Sequence, residues 1–226
     1  MTLRFLLLCY LVLQIASNAL GQQEDSSMSW LATGPASATY FPDSTSYSLP
    51  MTGTHSEIAF WQDRSVFTNF FDGLHLIQLE LAGEGLGNSG ESHAPKYSST
   101  SLFYSLGYDL YLANFAHLQP YLAYGIGTVT FSNNYADSTG AATPYEEKSE
   151  WADWGIYGVN LILEITGKLW LGYALNFYQE QQAIEYQDAD GSIELGSSQT
   201  LMLVWNWERV PIKAIDPRAS FWGGRE

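Results

Sequence analysis

The chain has 226 residues, a formal charge of -15 and a 15% share of Phe, Trp and Tyr. Such acidity argues against nucleic acid and against anionic lipid faces as partners. The one cysteine, Cys9, excludes a disulfide framework, and no Asn-x-Ser/Thr sequon is present.

Residues 1–21 read as a cleaved secretory signal. Arg4 is its charged start, Phe5–Ile15 its apolar stretch and Ala19-Leu20-Gly21 its small-residue cleavage site. Cys9 lies inside this signal, with no lipobox context. No apolar run of about 18 residues follows it, so no spanning helix is expected. Residues 22–28 are polar and Ser-rich and are expected to be disordered.

From residue 29 onward the apolar period is two, the signature of strands. Ser29–Phe41 is read as a first strand interrupted at Gly34-Pro35, Pro42–Ser56 as a loop, and Glu57–Phe67 as a second strand. After the short connection Asn69–Gly73, Leu74–Leu86 is a strand with Ile77, Leu79 and Leu81 on one face and Gln78 and Glu80 on the other. Gly83–Ser98 is a polar loop. In Ser99–Ala113, Leu102, Tyr104, Leu106 and Tyr108 share a face, opposite Ser101, Ser105, Gly107 and Asp109. Asn114–Gln119 is a turn. Pro120–Ser132 carries Leu122, Tyr124 and Ile126 opposite Ala123, Gly125 and Gly127.

After the acidic stretch Asn133–Glu150 comes the clearest pattern, the hairpin Trp154–Tyr178. Tyr157, Val159, Leu161 and Leu163 form one arm's apolar face; Leu169, Leu171, Tyr173, Leu175 and Phe177 form the other's. Thr166-Gly167-Lys168 turns between them. Each arm is long enough to cross a bilayer as a tilted strand. A second acidic stretch, Gln181–Ser197, precedes the last strand, Ser198–Trp207, with Leu201, Leu203, Trp205 and Trp207 on one face. Residues 208–226 read as an irregular tail.

Counted this way there are eight strands, and their connections alternate long, short, long, short, long, short, long. A barrel in an outer membrane sorts its connections in that manner, with short periplasmic turns and long extracellular loops. The expected fold is therefore all-β: an antiparallel up-and-down transmembrane β-barrel of eight strands spanning residues 29–207. Its Leu/Tyr faces are expected to meet lipid. The rival reading turns those faces inward, as in a soluble exported barrel holding an apolar ligand.

The stretch Gln119-Pro120-Tyr121-Leu122-Ala123-Tyr124-Gly125-Ile126-Gly127-Thr128 resembles the family of small outer-membrane β-barrels of OmpA type, which often carry a Pro-Tyr opening and a Gly-x-Gly in a mid-barrel strand. The resemblance covers mainly Leu74–Trp207 and implies a narrow, filled interior, a Gram-negative outer-membrane location and folding by the barrel assembly machinery. Two departures stand out. Family members usually end in an aromatic residue that this machinery recognises, whereas here residues 208–226 follow the last strand. No peptidoglycan-binding domain is expected.

If the Leu/Tyr faces meet lipid, the interior holds a polar network of Glu80, Asp109, Asn160, Glu164 and Asn176, with Arg64 and Arg209 as candidate counter-charges. Trp151 and Trp154, with Tyr135 and Tyr145, are expected as one interfacial girdle, and Trp205 and Trp207 as the other. The four histidines fall in or beside loops and turns: His55 beside Ser56, His93 beside Ser92, His75 near a turn and His117 in one. They read as solvated surface residues. No Gly-x-Ser-x-Gly elbow is present, so an enzyme, such as a lipid A hydrolase, is not expected. Nor is a cofactor or a bound metal: Asp188-x-Asp190-Gly191 lacks the later ligands of a calcium loop. The expected role is structural or surface-interacting, as a monomer with outer-membrane lipid as its surroundings and an unidentified extracellular partner. The alternative is a narrow passive channel.

Overall fold

The computed structural model describes residues 27–42, 48–63, 69–86, 90–113, 115–141, 147–179 and 191–206. Ten strands run in chain order: β1 (Ser27–Pro42), β2 (Leu49–Asp63), β3 (Phe70–Ala82), β4 (Gly85–Leu86), β5 (Ser92–Tyr108), β6 (Leu110–Ala113), β7 (Ala116–Ala136), β8 (Glu147–Glu164), β9 (Leu169–Tyr178) and β10 (Gly191–Asn206). All pairings are antiparallel. β1, β2, β3, β5, β7, β8, β9 and β10 pair in that order, and β10 returns to β1, closing a barrel of eight staves. β4 and β6 are short additions to β5 and β7 at opposite rims.

Closure fixes the shape. From Trp151 of β8, the ladder passes through Thr128, Thr100, Gln78, Ser56, Thr33, Leu201 and Tyr173 and returns to β8 at Leu161. A stagger of ten residues over eight strands tilts them by about 40° and leaves a bore that side chains fill. The first strand begins and the last ends at one rim, where Met28 pairs with Asn206. The turns after β2, β5 and β8 lie at that same rim.

Gly125 and Gly127 make the filling possible. A Cβ on Gly125 would sit 2.6 Å from the Phe103 ring, and one on Gly127 would sit 2.1 Å from Ser101 Oγ. The Gly-Ile-Gly of β7 thus leaves room for the inward side chains of β5. Gly34-Pro35 does not break β1. The strand continues through it, and its ladder to β10 shifts register between Ala36 and Ala38, an irregularity that accommodates a proline.

Every second residue is exposed, and what is exposed changes with height. Toward the turn rim the outer face is apolar: Leu31, Ile58, Phe60, Leu74, Leu76, Leu102, Leu106, Leu122, Ile126, Leu161, Leu171, Leu201 and Leu203 are all exposed. Toward the other rim the same outward positions become Ser56, Thr54 and Thr52 on β2, Gln78 and Glu80 on β3, and Thr100, Ser98 and Lys96 on β5. The inner face reverses. There Tyr40, Leu49, Met51, Leu79, Leu81, Tyr97, Phe131, Ile193 and Leu195 are buried. The barrel is membrane-like at one end and built like a soluble barrel at the other. The row Thr33–Ser56–Gln78–Thr100–Thr128 marks the change.

This division corrects one expectation. Ile77, Leu79 and Leu81 point inward and are 1%, 0% and 4% exposed, while Gln78 and Glu80 face out. β3 leaves the apolar belt after Leu76, so its greasy face there belongs to the core. Elsewhere the expected sides hold: Leu161, Leu171 and Leu203 are 38%, 49% and 48% exposed. A soluble barrel enclosing those three residues is excluded.

Two boundaries also move. β2 begins at Leu49 rather than at Glu57, and the connection before it is only residues 43–48. Ser27 and Met28, placed in the disordered segment by composition, belong to β1. The expected signal, residues 1–21, and the expected tail, residues 208–226, lie outside the described residues.

Burial predicts opposite responses at neighbouring positions of β3. Leu79→Ala should lower the unfolding free energy in lipid vesicles by about 2–5 kcal/mol, and Gln78→Ala should change it by less than about 0.5 kcal/mol. Denaturant titration checks both, and the reverse order would put Leu79 on the outside.

Candidate functional site

The barrel's charged centre is on β2. Because Ile58 and Phe60 face out, His55, Glu57, Ala59 and Trp61 face in by period two. Glu57 is 4% exposed and His55 and His75 are 0% exposed. Such a carboxylate survives burial only with both oxygens hydrogen-bonded.

They are. Glu57 Oε1 accepts from Trp30 Nε1 at 3.0 Å and from His75 Nδ1 at 2.6 Å, and Oε2 meets His55 Nε2 at 3.2 Å. Each imidazole has a second set of partners. His75 Nε2 accepts from Trp61 Nε1 and meets Ser105 Oγ, both at 2.7 Å. His55 Nδ1 lies 2.6 Å from the Tyr178 hydroxyl and 2.8 Å from Ser198 Oγ. Tyr178 donates to Ser198 Oγ at 2.8 Å, Asn176 Nδ2 donates to it at 3.2 Å, and Tyr121 donates to Asn176 Oδ1 at 2.6 Å. The network touches β1, β2, β3, β5, β7, β9 and β10, seven of the eight staves.

Aromatic rings seal it toward the turn rim. Trp30 meets Trp61 edge-on at 4.4 Å, Trp61 stacks on Phe71 at 3.7 Å, and Tyr121 stacks on His75 at 5.6 Å. Toward the other rim lie Ile77, Leu79, Met51 and Tyr97. Ser105–His75–Glu57 and Ser198–His55–Glu57 each align a hydroxyl, an imidazole and a carboxylate, the order used for nucleophilic catalysis. Catalysis also needs a reacting atom about 3 Å from the hydroxyl. Ser105 and Ser198 are 0% and 1% exposed, so neither hydroxyl is open to solvent. Among the described residues no group of three or more His, Cys, Asp or Glu is disposed to hold a metal ion. Two grooves of about 510 and 590 Å³ are lined chiefly by outward residues, including Leu31, Ile58 and Leu203 in one and Leu106, Leu122 and Tyr157 in the other.

The expected network residues are dispersed. Asn160 and Asn176 are buried in the interior, and Asn176 joins the cluster. Glu80 is exposed on the outside and accepts from Gln78 Nε2 at 2.8 Å, because β3 has already left the belt. Asp109 sits at the turn rim, 3.1 Å from His117 Nδ1, whose ring stacks on Trp170. Glu164 is half-buried at the end of β8. Arg64, Arg209, Trp207 and Tyr145 lie outside the described residues. Of the expected girdle, Trp151 is 76% and Trp205 44% exposed. Trp154 instead points inward, 2% exposed, edge-on to Phe103. Its inward position follows from Trp151 facing out, three residues away.

All four histidines are buried, contrary to their reading as solvated. The signal for two of them was available. Extending the β2 alternation back past Glu57 places His55 on the inner face, and Leu74 and Leu76 facing out place His75 opposite them. His93 lies beyond the belt, where it meets Asn133 Nδ2 at 3.0 Å and packs against Tyr135 and Tyr40. Burial pushes its imidazole below the ordinary range, and the Glu91 carboxylate opposes that shift.

Eight staves, a stagger of ten and an apolar outer belt around a filled bore together decide the architecture. The molecule is an eight-stranded barrel of the outer-membrane type. No protein-family model matches the sequence, and no curated protein does. Among solved structures, the barrel is similar to a major outer membrane protein from Thermus thermophilus, with 14% identity, a TM-score of 0.46 and coverage of 80% of this chain and 99% of that one. It is also similar to OprG from Pseudomonas aeruginosa, with 10% identity, a TM-score of 0.42 and coverage of 82% and 96%. A third is Ail, the attachment invasion locus protein of Yersinia pestis, with 11% identity, a TM-score of 0.40 and coverage of 80% and 99%. At such identities, any role must be argued from this chain's own residues.

The outer-membrane-type barrel depends on Glu57 for its interior. Glu57→Ala strands two imidazoles and an indole, and should cost about 3–5 kcal/mol of stability. Unfolding in lipid vesicles measures it, and wild-type stability would show that the cluster holds nothing together.

Proposed function

We propose that this chain is a bacterial outer-membrane protein with a structural or surface-interaction role, a monomer that neither conducts nor catalyses. The observation that carries this reading is the filled bore. A network spanning seven staves occupies its middle, and Tyr40, Met51, Leu79, Tyr97 and Phe131 pack the part that rises out of the belt. A bore filled in this way supports neither a water-filled path nor a ligand cavity.

The raised end supplies the working surface. It stands clear of the belt on long hairpins and exposes Glu80, Glu84 and Glu194. Asp137 shapes the turn after β7 by accepting from the Thr139 hydroxyl at 2.7 Å and from the Thr139 and Ala141 amides at 2.9 Å each. The Thr139 hydroxyl, followed by the Ala141 amide, holds its carboxyl below the usual range. With a chain charge of -15, this surface favours neutral or cationic partners over anionic ones. A Gram-negative outer membrane, reached through a cleaved signal and with assembly by the barrel machinery, is the setting that fits such a barrel.

Planar bilayers test the proposal. Purified protein should insert and give no unitary current in molar salt, while migrating differently on gels before and after heating. Reproducible single-channel steps would replace this reading with a narrow channel.

A further inference from the structure

The apolar belt is not equally tall all round the barrel. Along a strand tilted by about 40°, height changes by about 2.5 Å per residue, and each ladder step to the next stave changes it by about 3 Å. The closed ladder fixes the direction: leaving β8 at Trp151 through β7, it comes back ten residues nearer the turn rim, at Leu161. Thr33 of β1 is four steps along that path from Thr128 of β7, so it lies about 12 Å closer to the turn rim. Each of the two is the first polar outward residue above the apolar run of its strand. The upper edge of the belt therefore falls from β7 to β1, on opposite sides of the barrel.

The run itself shortens on the same side. On β7 it holds five outward positions, from Leu118 to Ile126, and on β9 five, from Leu169 to Phe177. On β2 it holds two, Ile58 and Phe60, and on β1 one, Leu31. Ser29 ends the β1 run and Gln62 the β2 run at about the height of Leu171, above Leu169 at the bottom of β9. A tilt of the whole barrel does not produce this pattern, because tilt moves both edges of a belt the same way. Here the upper edge drops toward β1 while the lower edge rises.

We infer that the belt is a wedge, about 20 Å tall across β7–β9 and about 10 Å at β1, and that the bilayer thins against the β1–β2 face. A short apolar span can be met by thinning, by snorkelling side chains or by self-association. Thr33 and Ser56 are too short to snorkel. The β1–β2 face also carries the groove of about 510 Å³. A second copy set against it would oppose groove to groove and enclose a void, which close packing disfavours. Lipid fits it better, since the groove straddles the belt edge: Leu31, Ile58 and Leu201 line its lower part, and Thr33, Ser56 and Gln78 its upper part. Acyl chains meet the first three. The headgroup and ester region of the leaflet facing the raised end rests on the second three, at a depth that is hydrocarbon on the β7 side. The inference rests on the barrel lying in a membrane, and the controls on β7 test that separately.

Spin labels measure the wedge. Ser56 and Tyr124 lie at about the same height, and Thr33 about 3 Å from the height of Leu122. Nitroxides are placed by Ser56→Cys, Thr33→Cys, Tyr124→Cys and Leu122→Cys in the full barrel, in phosphatidylcholine vesicles. Collision with a water-soluble nickel chelate should be several-fold more frequent at 33 and 56 than at 122 and 124, and collision with dissolved oxygen should show the reverse order. Equal shielding from nickel at all four positions would overturn the inference, because the belt would be of uniform height. Shielding of 33 and 56 from both reagents, with dipolar broadening that disappears on dilution with unlabelled protein, would also overturn it and put a second copy on that face. Nickel access at 122 and 124 as well would overturn both the wedge and the membrane belt itself.

Discussion

The structure depends on one constraint: a strand has two faces, and closure into a barrel assigns one of them to the inside along its whole length. Lipid demands apolar side chains outside, and water demands polar ones. A stave that passes from one to the other must exchange its greasy face for its polar one without changing its twist. β3 does this within four residues. Leu74 and Leu76 face out; then Ile77, Leu79 and Leu81 turn in while Gln78 and Glu80 take the outside. β2 and β5 make the same exchange along the same ladder row.

The exchange decides what the interior can be. Above the row the inward side is a mixed apolar core of Tyr40, Met51, Leu79, Tyr97, Phe131 and Ile193, with His93 and Ser132 buried among them. Below it the inner face belongs to the residues the lipid face rejects, and polar groups gather there. Buried polar groups seek partners among one another, and a large set of them finds partners around Glu57. Its oxygens gather an indole and two imidazoles, and through those rings the hydroxyls of Ser105, Tyr178 and Ser198. Cross-stave bonds of this kind fill the bore, and the proposed function assigns contact with partners to the raised end.

Much of the fold was legible in the sequence. The faces of β5, β7, β8, β9 and β10 follow from period two alone, because Leu102, Leu122, Leu161, Leu171 and Leu203 lie in the belt, where greasy means outward. The same rule fails at Leu79 because it takes no account of where the belt ends. Turn chemistry hid the start of β2: Leu49-Pro50 and Thr52-Gly53 read as loop signals, but the strand tolerates both. With the start of β2 hidden in this way, His55 reads as a loop residue and its meeting with Glu57 leaves no local signal. His75 reads as solvated for a related reason, since a histidine beside a turn ordinarily is, yet it is buried. Only the register that brings β2, β3, β9 and β10 around one bore shows that His55, Glu57, His75, Tyr178 and Ser198 meet. No local pattern carries that information.

The most direct measurement of the central claim is methyl NMR of the barrel in a bilayer containing lipid with a spin label on its acyl chain. The account predicts strong broadening of the Leu161, Leu171, Leu201 and Leu203 methyls, and none for Leu79, Leu81 and Leu195. Broadening of Leu79 and Leu81 to the same degree would contradict it, because those residues would then face hydrocarbon and the exchange of faces along β3 would not exist.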